Sequence, residues 1–132
     1  MKTVKILILE DDLKTLSVLL NKLSILEEQD KSFDFAVTIL SEYTQVEEYV
    51  NKKNDNDFNI ILLDRDCKAC GSFHVLDFDK FNPNKIISIS SVPGYNEEAK
   101  KRGVSRIVFK DYQKLEDFSN KVIEEIKILL KI

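Results

Sequence analysis

Residues 58–63 read Phe-Asn-Ile-Ile-Leu-Leu and run straight into Asp64. The apolar residues are contiguous rather than alternating, and the run is too short for a typical buried helix, so it predicts a strand covered on both faces. Strands of that kind belong to parallel sheets, where a crossover, usually a helix, joins each strand to the next. The same pattern opens the chain. Residues 4–9 form a second contiguous run ending on Glu10, Asp11 and Asp12, and from about Leu13 the spacing turns helical, with Leu16, Leu19, Leu20, Leu23 and Leu26 on one face.

Further along, residues 33–38 predict a strand, and Thr44 followed by Glu47 predicts a capping box opening a helix through Val46, Tyr49 and Val50. The hydrophilic stretch 52–57 forms a turn before the strand at 58–63, and a weaker helix is predicted over 73–81. Asn82, Pro83 and Asn84 then break the chain ahead of a strand at 86–90, and Asn96 is placed to cap a short helix closed by Gly103. Residues 106–109 predict the last strand. Leu115, Phe118, Val122, Ile126 and Leu129 mark the clearest helix. Strand and helix alternating five times predict an α/β fold, a parallel sheet sandwiched between helices, as a single domain over residues 1–132.

Composition narrows the function. With 20 basic against 23 acidic residues and a net charge of −3, no basic excess points to nucleic acid. The run Lys100, Lys101, Arg102 reads as a solvated helix face. No apolar run approaches the ~20 residues that cross a bilayer. Two cysteines do not make a disulfide framework, so a cytoplasmic protein in a reducing compartment is expected, without membrane or nucleic-acid partners.

In an open parallel sheet the loops after the strands gather at one edge, where ligands bind. That edge would collect Glu10, Asp11, Asp12, Asp64, Ser90, Ser91 and Lys110. Adjacent carboxylates repel, and a hard divalent cation such as Mg²⁺ relieves that repulsion through oxygen ligands. Asp64 beside such a cation is placed to attack a phosphoryl group and form an aspartyl phosphate. Lys110 would pair with the carboxylate or the new phosphate, and the Ser90 hydroxyl would hydrogen-bond a phosphate oxygen. Asp12 is better read as the cap of the first helix. Alternation along its strand favours Ser90 over Ser91, which then reads as a turn residue.

The segments KILILEDD, NIILLDRD, IISISS and RIVFKD, in that order and at about those spacings, resemble the receiver domain of two-component response regulators. The resemblance covers essentially the whole chain. It implies a flavodoxin-like (βα)5 three-layer sandwich with strand order 2-1-3-4-5. It makes Glu10 and Asp11 the acidic pair, Asp64 the phosphoacceptor, Ser90 the switch hydroxyl and Lys110 the family's lysine. Asp66 falls where a backbone carbonyl usually completes the Mg²⁺ site. The implied function is a stand-alone response regulator, phosphorylated by a histidine kinase or phosphotransfer protein and acting on a downstream protein, as a monomer or weak homodimer. Its only chemistry would be its own phosphorylation and dephosphorylation. Two alternatives are a phosphorylation-independent binding module and, from the Asp64/Asp66 pair, a haloacid-dehalogenase-like phosphatase, although the acidic pair of that family comes last in the chain.

Several positions depart from the receiver pattern. Asp111 stands where proline usually follows the lysine, Ile107 stands where an aromatic switch residue is common, and the helix after the fourth strand is expected to be short. The loop RDCKACGSFH brings Cys67, Cys70 and His74 close in sequence, one ligand short of a structural zinc site. The expectation there is one cysteine packed as a small hydrophobe and His74 on a helix surface.

Overall fold

The computed structural model describes residues 1–132. Nine elements follow in order: β1 (Lys2–Leu9), α1 (Leu13–Gln29), β2 (Phe33–Leu40), α2 (Tyr43–Glu48), β3 (Ile60–Leu63), β4 (Ile86–Ser88), α3 (Pro93–Lys101), β5 (Arg106–Ile107) and α4 (Leu115–Leu130). The strands form one parallel sheet in the order β2-β1-β3-β4-β5, the flavodoxin-like arrangement.

The contiguous apolar runs have a plain cause. β1 and β3 are neighbours inside the sheet, and successive side chains point to opposite faces. Ile6, Ile8, Ile60 and Leu62 pack with Leu19, Phe118 and Val122 beneath α1 and α4. Leu7, Leu9, Ile61 and Leu63 pack with Val46, Phe73, Phe81 and Ala99 on the other face, under α2 and α3. Both faces are roofed, so both sets must be apolar. No helix is long and apolar enough to cross a membrane.

α1 begins as expected. The Asp12 carboxylate accepts the Thr15 N–H at 2.9 Å and the Thr15 hydroxyl at 2.7 Å, satisfying a free donor of the first turn. The other predicted starts are corrected. Thr44 lies inside α2, whose N-terminal Glu42 makes no side-chain cap, and the α-helix stops at Glu48 before a 3₁₀ turn at Val50–Lys52. Asn96 is no cap either, because α3 opens earlier at Pro93, which supplies a pre-set φ for a first turn.

The helix predicted over 73–81 does not form, and the chain has four α-helices rather than five. Only a 3₁₀ turn appears, at Phe73–Val75. Phe73, Leu76, Phe78 and Phe81 are all buried, but the Asp77 carboxylate accepts the N–H groups of Asp79 at 3.0 Å and Lys80 at 3.3 Å. Such local side-chain bonds hold the backbone in a turn that competes with the helix.

β4 and β5 are shorter than their sequence patterns, yet inter-strand bonding continues past them. Ile89 N–H donates to Leu63 O at 2.9 Å, Val108 to Ser88 O at 2.9 Å and Lys110 to Ser90 O at 3.2 Å. Those bonds carry Ser90 and Lys110 to the edge where Asp64 ends β3.

Candidate functional site

A cavity of about 200 Å³ opens at the carboxyl ends of the strands, lined by Asp11, Asp12, Asp64, Asp66, Ser90 and Tyr112 among others. Glu10 lies beneath it, fully buried. One Glu10 oxygen accepts the N–H groups of Asp11 at 3.0 Å and Asp12 at 3.1 Å, and the other is ion-paired with Lys110. The Lys110 ammonium also stands 3.4 Å from Asp64 Oδ2. Asp11 accepts the N–H of Lys68 from the loop after β3. The question raised by three adjacent acids is therefore resolved one residue at a time: Asp12 caps α1, while Glu10 and Asp11 turn toward Asp64.

One ammonium is shared between Glu10 and Asp64. Ligand oxygens of Glu10, Asp11 and Asp64 lie within 4.8 Å of one another. Burial and the charge of Asp64 raise the Glu10 pKa to about 7, against the pull of Lys110. Burial also raises Asp64, with Lys110 opposing. For Lys110, burial disfavours the charged form, but Glu10 and Asp64 outweigh it and hold its pKa above the ordinary value. A charged ammonium thus sits under an acidic cavity that still carries excess negative charge. An all-oxygen donor set with that excess fits a hard divalent cation, Asp11 and Asp64 facing the cavity and Glu10 acting from below.

Ser90 is buried and its hydroxyl accepts the Val92 N–H at 3.1 Å, while Ser91 is half-buried; both line the cavity. Asp66 lines the cavity as well, but its side chain is exposed and ion-paired with Arg65 at 2.8 Å, and it is not among the three clustered carboxylates. Arg65 also pairs with Glu98 at 3.1 Å and stacks over Tyr95, its guanidinium 4.3 Å from the ring centre. The loop after β3 is thereby tied to α3.

Asn96, expected as a helix cap, has a different task. Only 4% exposed, it turns from α3 into the end of β4 and bonds both Ser88 and Ser90. Its position within a helix carried no sign of this, since the partners come from another strand.

Asp111 Oδ1 accepts the Gln113 N–H at 2.9 Å, so an aspartate-centred turn replaces the proline after Lys110, and the chain has no cis peptide. Ile107 is half-buried against the core under α2 and α3. α3 has nine residues. Cys67 is buried in that same core and Cys70 is exposed. His74 is not on a helix surface: it is half-buried in the 3₁₀ turn, its ring edge-on to Phe78 at 5.8 Å, and burial lowers its pKa to about 4. Cys67, Cys70 and His74 do not assemble into a ligand cluster; the clustered side chains are Glu10, Asp11 and Asp64.

No protein-family model matches the sequence, and no curated protein matches it. Among solved structures, the phosphorylated cyanobacterial phytochrome response regulator RcpA is similar, with a TM-score of 0.72 at 16% identity, over 97% of this chain and 94% of the other. At that identity the likeness speaks for the fold, and over nearly its whole length this chain has the fold of that response regulator.

Proposed function

We propose that the chain works as a response-regulator receiver, accepting a phosphoryl group on Asp64. The observation that carries the reading is the placement of Lys110: a buried ammonium ion-paired with Glu10 and 3.4 Å from Asp64, beneath a cavity that Ser90 also lines. Asp11 and Asp64, with Glu10 behind them and the backbone of Asp66 beside them, would hold Mg²⁺. The cation would screen two approaching anions and neutralise charge on the transferring oxygens.

In this reading each residue has a separate task. Asp64 Oδ1 or Oδ2 is the nucleophile toward phosphorus. The Lys110 ammonium stabilises the anion before and after transfer. The Ser90 hydroxyl releases the Val92 N–H and donates to a phosphoryl oxygen. Glu10 keeps the ammonium oriented. The donor would be a histidine kinase or phosphotransfer protein, and the output a protein contact.

Treatment of the purified protein with Mg²⁺ and acetyl phosphate, followed by intact mass, tests the reading, with Asp64→Asn as control. The expected result is a single phosphoryl adduct that requires Mg²⁺ and Asp64. No adduct and no steady release of inorganic phosphate would overturn it in favour of a phosphorylation-independent binding module.

A further inference from the structure

The loop after β3 carries two thiols that phosphoryl chemistry does not use. Cys67 is buried and lines the cavity beside Asp64, whereas Cys70, three residues on, is exposed. The loop is closed at its base. Asp66 and Ser72 form an antiparallel bridge, and the Cys67 N–H donates to the Gly71 carbonyl at 3.2 Å. Residues facing each other in such a pair lie about 5 Å apart at Cα. Cys70 adjoins Gly71, which brings its Cα toward the roughly 4.4–6.8 Å separation from Cys67 that a disulfide spans. Gly71 itself has φ +82°, the left-handed conformation that lets the chain reverse there.

What makes this loop more than a surface turn is its next residue. Lys68, inside the segment between the two cysteines, donates its N–H to Asp11 of the acidic cluster. Any change in the backbone between Cys67 and Cys70 therefore reaches the site directly.

We propose that Cys67 and Cys70 form a reversible redox pair whose disulfide closes this loop and alters the Lys68–Asp11 contact. The oxidant is a low-molecular-weight disulfide such as glutathione disulfide. The exposed Cys70 thiolate attacks one of its sulfurs, giving a mixed disulfide and releasing one thiolate. Cys67, deprotonated as it attacks, then displaces the second thiolate from the Cys70 sulfur. Two protein thiols become one disulfide, the external disulfide becomes two thiols, and the protons end on the released thiolates. Disulfide formation does not depend on the receiver reading; its consequence for cation and phosphoryl binding rests on it.

The test incubates the whole chain in glutathione buffers of increasing oxidised fraction, quenches by alkylation, and follows intact mass and the Lys68 backbone amide resonance. The expected product is a monomer lacking two hydrogens, refractory to alkylation at both cysteines, carrying no glutathione, reversed by dithiothreitol and showing a shifted Lys68 amide. Cys70→Ser, at an exposed position, should abolish that product. A stable glutathione adduct on Cys70, two alkylatable thiols throughout, an intermolecular disulfide, or ring closure without movement of the Lys68 amide would each overturn the proposal. If the pair closes as described but neither redox form takes up Mg²⁺ or a phosphoryl group, the receiver reading fails and the redox pair stands.

Discussion

Asn96 holds Ser90 by both ends of its backbone, its Oδ1 accepting the Ser90 N–H at 3.2 Å and its Nδ2 donating to the Ser90 carbonyl at 3.1 Å. The same Oδ1 accepts the Ser88 hydroxyl at 2.6 Å. Through this one amide, α3 grips the end of β4 at the serine that borders the cavity. Ile107 has no polar atom with which to make an equivalent link.

Asn96→Ala leaves two buried polar groups without partners, the Ser88 hydroxyl and the Ser90 N–H, each costing roughly 1–3 kcal/mol when unsatisfied, while the Ser90 carbonyl keeps the Lys110 N–H. A loss of about 2–4 kcal/mol in urea denaturation is expected. Ser88→Ala, which removes one donor and leaves the Ser90 clamp intact, should cost only about 1 kcal/mol. Equal costs for the two variants would mean that the clamp on Ser90 contributes nothing.

Asp11 and Asp12 are adjacent but do different work. Asp12→Ala removes the α1 cap and should cost about 1 kcal/mol with little effect on Mg²⁺ affinity. Asp11→Asn should leave stability nearly unchanged and weaken Mg²⁺ binding roughly tenfold or more. Calorimetric titration alongside thermal unfolding separates them, and matching behaviour in both assays would contradict the assignment.

Glu10 and His74 predict opposite pH slopes in one window. The native chain keeps the Glu10 proton up to about pH 7, while an unfolded glutamate releases it near 4.5, so this group's contribution to stability falls as pH rises between those values. His74 works the other way. Its native pKa is about 4 against 6.5 unfolded, so its contribution is present above 6.5 and is lost as pH falls through 4.

Partial compensation is therefore expected in the wild type across pH 4.5–6.5. Urea midpoints measured over that range should rise more steeply with pH in Glu10→Gln than in the wild type, with His74 then opposed by the raised Asp64 but no longer by Glu10, and fall with pH in His74→Gln. The half-buried imidazole contributes on the order of 2 kcal/mol once solvent screening is allowed for. Identical profiles in the two variants would refute both pKa assignments.

Gly71 tolerates no side chain on two counts. Its φ is +82°, and a Cβ there would come within 2.2 Å of Tyr43 Cδ1. Gly71→Ala should destabilise the chain by about 2 kcal/mol or more, through strain and displacement of the ring. A neutral substitution, measured by thermal unfolding, would show that the loop shifts freely over Tyr43.

Much of this molecule was legible in one dimension. The uninterrupted apolar stretches 6–9 and 60–63, within the runs at 4–9 and 58–63, announced strands roofed on both faces, because burial on both faces leaves no room there for polar residues. The cap at Asp12 was legible too, since it involves only Thr15, three residues away. The convergence of Glu10, Asp64 and Lys110 followed from where strands end, although their pairing distances did not. Local information failed where a partner was remote or a local bond competed. Asn96 looks like a helix cap until β4 is brought beside it, and the segment around Asp77 has enough apolar residues for a helix until its carboxylate captures the next turn. His74 passes for a surface residue until Phe78 folds against it. Residue pattern by itself determined which segments are buried and which strand ends carry charge. Only the tertiary structure decided which polar atoms those buried segments meet, because groups as far apart as Glu10 and Lys110 become neighbours only when the sheet closes between them.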